Sequence, residues 1–151
     1  MSPDAVQSAR QQWLGVLAKA TSHSLQQQWQ SLQLEPEYQF IRKPETGLTM
    51  LRGRLGGSGQ PFNMGEMTLT RCAVRLGSGT LGVSYIAGRN KQHAITAALA
   101  DALLQEEATT DILQQKLIAP LQAELDAGRR ERITQANSTK VDFFTLVRGE
   151  D

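Results

Sequence analysis

The sequence predicts a single α+β domain: a mostly antiparallel sheet of about four strands, packed by helices from the amino- and carboxy-terminal ends of the chain. Three observations carry that prediction. Both ends place apolar residues at three- and four-residue spacings, as helices do, and the middle alternates with period two, as strands do. Short breaks rich in glycine separate the alternating segments and suit hairpin turns. At 151 residues, 40% hydrophobic and 21% charged, the chain is long enough for one core, and residues 1–151 read as one domain without repeats or linkers.

Ser2-Pro3-Asp4 has the form of a helix start, with a capping hydroxyl, a proline where no amide bond is lost and an acid near the positive end. Ala9, Trp13, Val16, Leu17 and Ala20 then form one stripe. A second helix is expected from Ser22 or Ser24 to Gln33, with Leu25, Trp29 and Leu32 inward and Gln26, Gln27, Gln28 and Gln30 outward. The two tryptophans dock these helices either on the domain's own core, the plainer reading, or on a partner.

Glu35-Pro36 ends the helical part. Residues 38–42 and 48–55 read as two strands of a hairpin, joined by Lys43-Pro44-Glu45-Thr46-Gly47. The cluster Gly56-Gly57-Ser58-Gly59 reads as a mobile loop; without the P-loop lysine and hydroxyl residue it is a poor phosphate cradle. A third strand follows, with Thr70, Cys72, Val74 and Leu76 on one face and Leu69, Arg71, Ala73 and Arg75 on the other. Gly77-Ser78-Gly79 turns the chain into a fourth strand over residues 81–87, with Leu81, Val83 and Tyr85 sharing a face. Arg52, Arg54, Arg71 and Arg75 occupy same-face positions on two strands: they form either an anion-collecting face or an ordinary solvated one.

From Lys91 a helix is expected to bury Ile95, Ala98, Leu99, Ala102 and Leu103. His93, two residues before Ile95, then points about 160° away from that stripe at ~100° per residue. Free amides and the helix dipole at that end favour anions, so a phosphate there would meet Arg89, Lys91 and His93 together. These three, with Arg71 and Arg75, are the candidate substrate-binding residues. Thr109-Thr110-Asp111 caps a further helix carrying Ile112, Leu113 and Leu117, and Pro120 starts a new helical segment. The run Arg129-Arg130-Glu131-Arg132 keeps a helix wet. Beyond Asn137-Ser138-Thr139, residues 141–147 are apolar enough to add a strand to the sheet or to lie on another chain.

Composition excludes several functions. A formal net charge of +1 argues against a nucleic-acid binder, and no apolar run approaches the ~18 residues of a membrane span. The first residues, MSPDAVQSARQQW, lack a secretory signal's basic-then-apolar pattern, and Cys72 is the one cysteine, so a cytoplasmic location is expected. With His23 and His93 the only histidines, there is no Cys/His metal cluster and no metal site is expected. Cys72 reads as a small core residue rather than a nucleophile, and Asp101 as a surface acid rather than a base. No glycine-framed serine and no dinucleotide fingerprint occurs, so independent catalysis is not expected and no catalytic residue is assigned.

The segments ETGL (residues 45–48), GGSG (56–59), TLTRCAVRLGSGTLGVSYIAGRNKQHA (68–94), LIAPL (117–121) and VDFFTLVRGED (141–151) nevertheless resemble, in order, the PhnG family, a subunit of bacterial carbon–phosphorus lyase core complexes. The resemblance implies a place in organic phosphonate catabolism. The core complex of that system joins an alkylphosphonate to the ribose C1 of ATP and releases adenine. It further implies PhnH, PhnI and PhnJ as partners, with an ATP-binding-cassette-type protein beside them. In the family the nucleosidase-like centre is attributed mainly to PhnI and the iron–sulfur chemistry to PhnJ. ATP is thus a substrate of the complex, and no cofactor is expected on this chain alone. The alternative is a purely structural assembly subunit that never touches substrate.

Overall fold

The computed structural model describes the backbone of residues 3–54 and 61–149 and the side chains of residues 3–50 and 65–139. Helices α1 (Pro3–Lys19) and α2 (Ser22–Leu32) come first, then strands β1 (Tyr38–Arg54), β2 (Pro61–Leu76) and β3 (Leu81–Ala87), then helix α3 (Lys91–Leu104). Helix α4 (Glu107–Leu113) passes through one π turn (Gln114–Ile118) into helix α5 (Ala119–Gly149). The sheet is antiparallel with order β1-β2-β3, so the α+β class holds with three strands in place of about four.

The missing strand is a merger. The expected turn at residues 43–47 is not a turn: residues 38–54 form one long strand, paired with β2 on both sides of that segment. Register shifts between Phe40 and Arg42 and between Arg42 and Glu45 absorb the residues that read as a turn, Pro44 included. A proline with no amide to donate is tolerated at such a bulge on an edge strand. The Gly56-Gly57-Ser58-Gly59 segment lies outside the described residues.

The β2–β3 hairpin follows its sequence pattern. Gly79, at φ +100°, donates its amide to Leu76, and Leu76 donates to Thr80. Thr70, Cys72, Val74 and Leu76 are buried, facing the helices. On β3, however, Gly82, Ser84 and Ile86 face inward, and Leu81 and Tyr85 are exposed. Gly82 explains this choice of face. A Cβ there would lie 2.1 Å from the Ala98 carbonyl oxygen and 2.8 Å from Ala102, so α3 sits directly on the β3 backbone. Glycine in a strand marks such an approach.

Helix α3 is the core of the molecule. It is buried on nearly every side, with β2 and β3 beneath and α1, α2 and α4 around it. Its alanines, Ala94, Ala97, Ala98, Ala100 and Ala102, let those neighbours approach closely, and Trp13, Leu17, Leu25, Leu113, Leu117 and Leu121 close over it. Trp13 is in the core and Trp29 packs partly buried against it, so both tryptophans dock inward.

At Pro120 the chain does start a helical segment, by one residue's margin, because α5 begins at Ala119. The preceding π turn, in which Ala119 donates to Gln114, fits an imino residue that cannot continue the α ladder and whose ring would press on the carbonyl four residues back. Residues 141–147, expected as a strand or as a contact with another chain, are helical and add nothing to the sheet. Asn137, Ser138 and Thr139 do not break α5; Thr139 instead donates its hydroxyl to the Gln135 carbonyl within the helix.

Candidate functional site

The five candidate residues fall into three separate settings. Arg89 and Lys91 are exposed at the start of α3, in a turn that is built from polar contacts. Gly88, at φ +96°, donates to the Thr68 carbonyl, and Thr70 Oγ1 donates to the Gly88 carbonyl at 2.7 Å. Thr46 Oγ1 meets Thr70 Oγ1 at 2.9 Å, so all three strands fix the turn. Asn90 caps α3: its side-chain oxygen accepts from the His93 amide at 3.0 Å.

His93 does not join Arg89 and Lys91. The ring is buried, with Nε2 2.8 Å from the Leu17 carbonyl oxygen and Nδ1 2.8 Å from Ser22 Oγ. A carbonyl can only accept, so Nε2 carries the proton; in the neutral ring Nδ1 then accepts from the Ser22 hydroxyl. The expected outward direction rested on one buried stripe, whereas α3 has neighbours on several sides, and α1 and α2 cover the face that carries His93.

Arg71 and Arg75 are exposed on the outer face of the sheet, opposite the helices. Arg71 pairs with Tyr85 and Arg75 with Leu81, so they stand ~13 Å apart along β2 at 3.2–3.4 Å per residue. Arg71 shares Glu45 with Arg42, each guanidinium 3.5 Å from the same carboxylate oxygen, in a concavity of about 250 Å³ beside Leu48, Thr49 and Tyr85. Such exposed pairs contribute little and leave Glu45 competing with any incoming anion. Arg75 lines a different concavity, of about 330 Å³, with Glu37, Tyr38 and Gly77. Along the backbone, Arg52 pairs with Asn63 while Arg71 pairs with Glu45, so roughly 25 Å of strand separates the two positions.

Sequence reasoning misplaced a second residue as well. Asp101 is not a surface acid; it is fully buried. Its carboxylate accepts from Arg10 (2.9 and 3.1 Å), from the Trp13 indole N–H (2.8 Å) and from the Val83 backbone amide (2.9 Å). One side chain thus joins α1, α3 and β3, and the hydrogen bond to Asp101 raises the Arg10 pKa above its ordinary value. The signal was present in the sequence: a single acid inside an otherwise apolar helix that is flat in hydrophobicity all round is a buried acid with a partner.

Cys72 is the core residue its strand face predicts, and burial pushes its thiol up to about 11. Among the described residues no buried polar side-chain atom lacks a partner, and no group of three or more His, Cys, Asp or Glu is placed to hold a metal. None of the described helices is long and apolar enough to cross a membrane. The described arrangement can gather anions at Arg89 and Lys91 and along the outer arginines. It offers no free buried base, acid or nucleophile.

Comparison with known proteins gives two concordant results. Residues 8–149 match the family model described as phosphonate metabolism protein PhnG. A relative from Rhizobium meliloti (strain 1021), the alpha-D-ribose 1-methylphosphonate 5-triphosphate synthase subunit PhnG, is 42% identical over 150 residues, covering 99% of this chain and 96% of the relative.

Proposed function

Since this chain belongs to the PhnG family of phosphonate metabolism proteins, we propose that it is an accessory subunit of a ribose 1-methylphosphonate 5-triphosphate synthase, working in the cytoplasm with PhnH, PhnI and PhnJ subunits. In that reaction a phosphonate oxygen attacks the ribose C1 of ATP, the C1–nitrogen bond breaks, and adenine leaves. Both reactants are polyanions, and bringing them together requires cationic partners.

The observation that carries the accessory role is the fate of the buried ionisable groups. His93 is bonded at both ring nitrogens, Asp101 accepts four hydrogen bonds, and the Cys72 thiol is held protonated at neutral pH. Each is committed to the fold, which leaves the chemical step to other subunits. This chain's contribution to substrate is charge: Arg89 and Lys91, exposed on a rigid turn, neutralise phosphate or phosphonate oxygens at the subunit junction. Arg71 and Arg75 are weaker candidates because of Glu45 and their separation, and His93 because its ring is buried and bonded to Leu17 and Ser22.

The test is a reconstituted complex carrying Arg89→Ala and Lys91→Ala. Assembly is expected to be unchanged and adenine release to fall about tenfold, in line with one or two lost charge-assisted contacts. Normal turnover by an intact complex carrying both substitutions would leave the purely structural role in its place.

A further inference from the structure

The two edges of the sheet are finished differently, and the difference locates a docking surface. Among the described residues strand β1 is an edge along its whole length, and its first part is guarded. Residues 38–45 contain both early register shifts, a lysine (Lys43) and a proline (Pro44), the features that keep foreign strands off an edge. Residues 46–51 have none of these. They pair in unbroken register with residues 70–65 of β2, Thr46 to Thr70 through Leu51 to Gly65. Within this run Leu48 is 68% exposed and Met50 48% exposed. Both share the parity of Thr46, whose hydroxyl meets Thr70 on the helix-bearing face.

Strand β3 pairs with β2 only over residues 69–75, so the ribbon beyond projects past the third strand. An unbroken edge beside two exposed apolar side chains is a template for strand addition. Charge identifies what it takes. Strand β1 carries Arg42, Lys43, Arg52 and Arg54 against Glu45 alone, and the projecting part of β2 adds one acid, Glu66. A second copy of the chain would set this basic edge against itself.

We propose that residues 46–51 receive, as a fourth strand, an extended segment of another subunit of the synthase. That segment places alternate apolar residues over Leu48 and Met50, and it carries Asp or Glu at its ends to meet the basic residues flanking the run. The proposal rests on the accessory-subunit reading and adds the surface and the partner chemistry.

The test is the Leu48→Glu/Met50→Glu double variant of the full chain, co-expressed with the PhnH, PhnI and PhnJ subunits and followed by native mass spectrometry. Wild-type chain is expected in the complex. The double variant is expected at least tenfold depleted, the Leu48→Lys/Met50→Lys variant less so, and Leu81→Glu at the other edge retained. Circular dichroism of each free variant checks folding, with Leu48→Ser/Met50→Ser replacing any that fails. Hydrogen exchange is expected to show amides 46–51 slowed only in the complex. If wild type and the double variant assemble equally, the edge proposal falls and the accessory role stands. If wild type never joins the complex, both fall. A concentration-dependent dimer of free wild-type chain, abolished by Leu48→Glu/Met50→Glu, would make the occupant a second copy and overturn the heteromeric claim.

Discussion

The edge of β3 and the edge of β1 belong to one sheet, yet only the first is closed by the chain itself. Helix α3 and the two residues that follow it supply the closure: Asp101 accepts the Val83 amide, Gln105 Nε2 donates to the Leu81 carbonyl at 2.7 Å, and Glu106 accepts from the hydroxyls of Ser78 and Thr80. No equivalent hydrogen bond reaches residues 46–51 of β1 among the described residues, where Leu48 and Met50 are exposed beside Thr49. The contrast separates internal stability, concentrated around α3, from surface left for a partner.

Substitutions at the closed edge are expected to unfold the protein, and those at the open edge to leave it folded. The largest effect is expected at Asp101→Ala. It strands the Arg10 charge and the Trp13 and Val83 N–H groups, a loss of about 3–5 kcal/mol measurable by urea unfolding. Gly82→Ala comes next, at about 1–3 kcal/mol, because α3 must lift from β3 to admit the methyl group; a shifted midpoint with unchanged slope is the expected signature.

An effect of similar size appears only at high pH. The Cys72 thiol is raised from 9.0 to about 11 in the folded protein, so the unfolded chain loses that proton first as pH rises. The associated stability is complete below pH 9 and is lost between pH 9 and 11, by roughly 2–3 kcal/mol at about 1.4 kcal/mol per unit. Cys72→Ala should flatten that fall relative to wild type when the two are titrated side by side. Smallest of all is the expected cost of Leu48→Glu/Met50→Glu to the free chain, within about 0.5 kcal/mol per surface substitution. A large loss there would erase the contrast between the edges.

Legibility in the sequence followed the reach of the interactions involved. The β2–β3 hairpin and the inward residues of α1 were readable because periodicity and a glycine turn decide them locally. Residues 43–47 looked like a turn by composition, but pairing with the continuous β2 held them extended. Residues 141–147 read by apolar content as a strand or a contact with another chain; helix propagation from α5 carried through them and removes the strand alternative. At the site, Arg89 and Lys91 were legible as exposed cations beside a helix start. The partners of His93 and Asp101 were not, because Leu17, Ser22, Arg10 and Trp13 lie on elements far away in sequence.

That distance has a kinetic consequence. Asp101 meets Val83 across 18 residues, but Trp13 and Arg10 across 88 and 91. The hairpin and α3 can therefore close early as a local unit, while the amino-terminal helix must complete a much longer loop before its arginine and indole reach the same carboxylate. Until then Asp101 lacks the arginine and indole that meet it in the finished fold, so docking of α1 is expected to follow closure of the hairpin on α3.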